Sequence, residues 1–86
     1  MKITRQVTAR KLNAYLKGRL SLSGLVDWAE QAMQEGDFAP ADAAVLRKVV
    51  PRLGLADVRT FGLEWEDCSQ MLRLLGFRAR IRVVAA

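Results

Sequence analysis

Cys68 is the only thiol in this chain, and there is no histidine. Those two facts decide most of the chemistry open to it. Without imidazole the chain lacks the commonest general base near neutral pH, the usual partner of a Ser or Cys nucleophile, and the commonest metal ligand. A thiol near a helix start gains reactivity as its pKa falls. Here Glu66 and Asp67 stand beside it, and neighbouring acids oppose the thiolate. Cys68 therefore reads as a small buried hydrophobe. Structural zinc needs four N or S ligands, which one cysteine and no histidine cannot supply. Glu64, Glu66 and Asp67 form an acidic group that could attract a divalent cation. Adjacent helix residues point about 100° apart, so Glu66 and Asp67 converge poorly, and the positive end of a helix dipole accounts for acids in a first turn. The expectation is a protein that is not an enzyme and takes no cofactor or metal.

What is left is binding, and charge is the guide to it. All nine acids lie between Asp27 and Asp67. Residues 1–26 carry +6, residues 27–67 carry −5 and residues 68–86 carry +4, for a net charge of +5. Two basic clusters stand out: Arg10, Lys11 and Lys17 near the start, and Arg78, Arg80 and Arg82 near the end. If the two ends pack together, they make one patch suited to phosphates, whose contacts dominate non-specific nucleic-acid affinity. Against that, the helices after the first are acidic or mixed, unlike a helix-turn-helix reader. No exposed aromatics interleaved with basic residues, as single-strand binders use, are legible in the sequence. Charged side chains on a strand also serve simply to discourage edge-to-edge aggregation. A second candidate surface joins Asp27, Trp28 and Glu30, an acidic helix face flanked by a tryptophan of the kind enriched in interface hot spots. That acidic face would also suit an antitoxin- or immunity-type binder covering a basic partner.

The elements that must position these residues follow from apolar period and caps. At 86 residues the chain is read as a single helical domain, residues 1–86, burying roughly 60–65% of its unfolded surface. A first helix is predicted from about Arg5 to Lys17, capped by Thr4, with Thr8, Leu12, Tyr15 and Leu16 on one face, Ala9 beside them, and Gly18 ending it. A second runs from about Leu22 to Glu35 behind Ser21, with Leu20 and Leu25 at the positions of a hydrophobic staple. Its core stripe is Leu22, Val26, Ala29 and Met33, Trp28 lies on the flank with Leu25 and Ala32, and Gly36 follows as a C′ residue. A third runs from about Pro40 to Leu53, with Val45, Leu46, Val49, Val50 and Leu53 inward. Pro51 falls on its polar side, where it is expected to kink the helix without breaking it. A short turn spans about Ala56 to Phe61. A fourth helix spans about Trp65 to Leu75, facing Trp65, Cys68, Met71, Leu72 and Leu75 inward.

At the end the period changes to two. Phe77, Ala79, Ile81 and Val83 alternate with Arg78, Arg80 and Arg82, which predicts a strand about 23 Å long. Such a strand needs a partner: Lys2–Thr4, a second copy of the chain, or another protein. The fold class is thus mainly α, a compact four-helix domain with a short connecting turn and a C-terminal β-strand.

The segments Leu25-Val26-Asp27-Trp28-Ala29-Glu30, Leu53-Gly54-Leu55-Ala56-Asp57-Val58-Arg59, Phe61-Gly62-Leu63 and Trp65-Glu66-Asp67-Cys68 resemble a family of small stand-alone bacterial helical proteins of uncharacterised function. Tyr15-Leu16, Ser21-Leu22 and Leu75-Gly76-Phe77 fit the same order, so the resemblance covers nearly the whole chain. It implies a bacterial source and a mostly helical fold, and it carries over no active-site residue. The chain departs from the pattern at Gly24, where an acid would complete a capping box after Ser21, and at Glu64, where Thr would be the expected cap.

No apolar run approaches the roughly 18 residues of a membrane helix, and no apolar segment follows the basic N-terminus as in a signal peptide. With a lone cysteine, this predicts a cytoplasmic protein that does not engage a membrane. The expected function is a protein-interaction module using Asp27, Trp28 and Glu30 together with the strand's Arg78, Arg80 and Arg82, whose partner is another protein, or a second copy met through the strand edge. The alternative is a nucleic-acid-binding module using Arg10, Lys11, Lys17, Arg78, Arg80 and Arg82.

Overall fold

The computed structural model describes residues 1–79 and 84–85. The helices are α1 (Arg5–Leu16), α2 (Leu22–Glu35), α3 (Ala43–Gly54) and α4 (Trp65–Leu74), with two short strands, β1 (Lys2–Ile3) and β2 (Asp37–Phe38). Single 3₁₀ turns precede α3 (Pro40–Asp42) and α4 (Arg59–Phe61). Each start has a local cause. Thr4 Oγ1 accepts from the Val7 N–H (3.1 Å), and Ser21 Oγ accepts from the Gly24 N–H (3.0 Å). At α4 the missing Thr cap is offset by Asp67, whose Oδ2 reaches back to the Glu64 N–H (2.9 Å). Such caps are worth about 1 kcal/mol each.

Both α1 and α4 end in the same motif. Gly18 (φ 73°) and Gly76 (φ 91°) take the left-handed conformation. Their N–H groups donate to Tyr15 O and Arg73 O, and the next residues, Arg19 and Phe77, donate to Ala14 O and Leu72 O. These paired bonds satisfy carbonyls the helix leaves open.

The core is one cluster fed by β1 and the four helices: Ile3 from β1, Leu12 from α1, Leu25 and Ala29 from α2, Leu46 and Leu53 from α3, and Leu72 from α4. Tight packing of α3 on α2 rotates the second helix relative to expectation. Leu25, Val26, Ala29 and Ala32 are buried, Leu22 is half-buried and Met33 is 44% exposed. Gly54 of α3 faces Ala29 and Met33 there. The third helix begins at Ala43, after the 3₁₀ turn, and continues through Pro51 to Gly54.

The expected C-terminal strand is not shown. Phe77, Arg78 and Ala79 lie outside any strand, and the Phe77 N–H is used in capping α4; residues 80–83 of that prediction lie outside the described residues. The strand pair that exists is parallel and joins β1 to β2, Lys2 opposite Asp37 and Ile3 opposite Phe38. Gly36 makes it possible. A Cβ there would meet the Ala32 carbonyl oxygen and lie 2.8 Å from Ile3 Cγ1. At Gly54 a Cβ would meet only the Met33 Cε, at 2.7 Å, the far end of a flexible and partly exposed side chain. Opposite outcomes are expected. Gly36→Ala should cost about 1–3 kcal/mol by overpacking. Gly54→Ala should be neutral or stabilising by up to about 1 kcal/mol, since alanine favours helix. Urea unfolding of the two variants checks the contrast, and equal losses would contradict it.

Candidate binding groove

The charge segregation resolves into two parts. Some of it is self-complementing. Asp42 accepts from the Arg5 backbone N–H (3.1 Å) and stands 3.8 Å from the Arg5 Nε, so an acid of the middle segment sits on the positive end of α1. Arg52 lies 3.9 Å from Asp67 and donates to Gly62 O (3.2 Å), tying α3 to the start of α4. These partly exposed ion pairs are each worth about 0–1 kcal/mol.

Three of the remaining basic residues, Arg10, Lys17 and Arg78, converge. Between α1, α4 and the residues after α4 lies an open groove of about 690 Å³. One rim is the polar edge of α1: Gln6, Arg10, Asn13 and Lys17. The floor is aliphatic, from Ala9 and Leu16 of α1, Leu72 of α4, and Ala79. The other rim carries Trp65, Phe77 and Arg78. Trp65 is 42% exposed and Phe77 39%. Among the described residues no carboxylate lines the groove. Among the described residues Arg10, Lys17 and Arg78 take part in no ion pair or side-chain hydrogen bond.

Of the six residues proposed for nucleic-acid contact, the structure thus brings together Arg10, Lys17 and Arg78. Lys11 is half-buried and lies outside the groove, and Arg80 and Arg82 lie outside the described residues. Of the acidic surface, Asp27 and Glu30 are exposed on α2, whereas Trp28 is half-buried against the core.

Trp65 is a correction. The sequence placed it inward with Cys68, Met71, Leu72 and Leu75. It does share the Leu72 side of the helix, but as the first residue of α4 it forms a wall of the groove, and nothing further along the helix covers it. The reading that no aromatics stand among the basic residues is corrected with it. The available signal was Ala9: a small residue on the inward side of the first helix leaves the space that Trp65 and Phe77 border.

Cys68 behaves as read. It is buried, and burial pushes its thiol pKa up, with Asp67 adding to the rise and Arg52 partly opposing it. Slow alkylation by iodoacetamide at neutral pH is therefore expected in the folded protein, with fast labelling in denaturant. A raised folded pKa means the unfolded chain loses its thiol proton first. Stability should hold below the ordinary thiol pKa, about 8.5, and fall as pH rises past it. Rapid native labelling would contradict this.

No group of three or more Cys, Asp or Glu side chains placed to hold a metal occurs among the described residues. No helix among them is long and apolar enough to cross a membrane. Comparison with family models, with curated proteins and with solved structures finds no match.

Proposed function

We propose that this protein is a small, non-enzymatic bacterial module of the cytoplasm that binds another protein, and that the α1–α4 groove is its working surface. One observation carries the reading: two exposed aromatics, Trp65 and Phe77, border an aliphatic floor ringed by three cations that have no ion pair among the described residues. Exposed aromatics over an apolar floor with a charged rim are how protein-binding hot spots are built. The absence of histidine from the sequence and the protonated, buried Cys68 favour binding over catalysis.

The test compares what the tagged protein retains from its host with what three variants retain. Trp65→Ala and the double variant Arg10→Glu/Lys17→Glu should lose the partner, and Asp27→Lys/Glu30→Lys should keep it. The reverse pattern would sink the groove and favour the acidic α2 face of an immunity-type binder.

Nucleic acid is the second reading, favoured by the interleaving of Trp65 and Phe77 with Arg10, Lys17 and Arg78. Three engaged phosphates would give a log–log salt slope of about −2 on single strands and about −3 on duplex. Absence of binding at low salt removes that reading.

A further inference from the structure

We infer that the groove receives an acidic amphipathic α-helix from the partner, with carboxylates one heptad apart. This rests on the protein-binding reading above and specifies the segment that is bound.

The spacing is the first argument. The residues that α1 turns to the groove come in pairs seven apart: Gln6 with Asn13, Ala9 with Leu16, and Arg10 with Lys17. On α4, Trp65 and Leu72 are also seven apart. Seven residues are close to two helical turns, so each pair projects in nearly the same direction, about 10 Å apart along its helix. Two helices that each offer heptad-spaced side chains to a shared cleft present the seam into which a third helix packs. From Gln6 to Lys17 the rim is about 16 Å long, enough for roughly eleven residues of bound helix.

Charge is the second argument. Arg10 and Lys17 stand on one rim and Arg78 on the other, all three exposed, with no acid among the lining residues. The complement is a ligand with acids on its flanks and an apolar stripe against Leu16, Leu72, Trp65 and Phe77. The same spacing selects a helix over an extended peptide. About 10 Å is three residues of strand, and the third residue along a strand points to the opposite face. Two carboxylates of an extended segment therefore fall at about 7 or 13 Å when they share a face, and match Arg10 and Lys17 less closely than a heptad pair does. A nucleic acid would find its phosphate contacts, but the aliphatic floor offers its bases no hydrogen bonds.

The experiment uses the full chain and follows its two tryptophan indole N–H signals by NMR, with Trp65 assigned from the Trp65→Phe variant. Four probes are titrated. The first is a helix-stabilised 15-residue peptide with a leucine stripe and two glutamates seven apart. The second has the same composition with one glutamate moved two positions, to the far side of the helix. The third is a proline-containing extended acidic peptide, and the fourth a fifteen-nucleotide oligothymidylate. The first peptide should move the Trp65 signal and leave that of Trp28 in place. It should bind at least about tenfold more tightly than the second and third, and lose about tenfold with Arg10→Glu/Lys17→Glu. If the extended or displaced-glutamate peptide binds as well as the first, the helical inference falls and the protein-binding reading stands. If only the oligonucleotide moves Trp65, or no probe does, both fall.

Discussion

Leu46→Ala is expected to lower the unfolding free energy by about 2–5 kcal/mol. Leu46 is fully buried in the middle of α3, the helix that packs most closely on α2. It belongs to the one core cluster formed by all four helices, and a side chain removed from such close packing leaves a space the surroundings fill only in part. The whole stability of a chain this size is about 4–13 kcal/mol, so the loss removes a large share of it. Urea unfolding followed by far-UV circular dichroism measures the effect. A loss below about 1 kcal/mol would mean that α3 is not the centre of the core.

Trp65→Ala should separate binding from stability. Trp65 is 42% exposed, so much of its apolar surface leaves water only when a partner covers it. Truncating it should weaken partner binding by about 2 kcal/mol or more, a loss of roughly thirtyfold, while costing the free protein about 1 kcal/mol. Titration calorimetry with the purified partner and urea unfolding give the two numbers. A large stability loss with unchanged affinity would make Trp65 a core residue after all and remove the aromatic wall from the argument.

The helices were legible because their signals are local. Thr4 and Ser21 cap, Gly18 and Gly76 close, and the apolar faces of α1 and α3 repeat at helical spacing; Thr8, Leu12, Leu46 and Val49 are buried as their period requires. What was not legible depends on what the chain meets in space. The alternation after Gly76 reads as a strand, yet at its first residue the Phe77 N–H goes to the cap of α4. Parallel pairing of β1 with β2 joins two-residue segments some 35 positions apart, too short to leave any period. The stripe of α2 was read as Leu22, Val26, Ala29 and Met33, whereas the side buried is Leu25, Val26, Ala29 and Ala32, a rotation of the helix that depends on what packs against it. Of the candidate site, Arg10, Lys17 and Arg78 were legible as charge. Their convergence was not, since it needs the pairing of α1 with α4, and that pairing is also what makes Trp65 and Phe77 parts of one surface. The clusters also differ in role. Arg5 pairs with Asp42 at a helix start, and the three groove cations take part in no ion pair among the described residues.

The most direct test is hydrogen–deuterium exchange on the full chain, alone and with the partner it retains. Slowed exchange across residues 6–17 and 65–77, with residues 22–35 unchanged, is the result expected of a groove-bound partner. Protection confined to residues 22–35, with the groove segments unaffected, would contradict it.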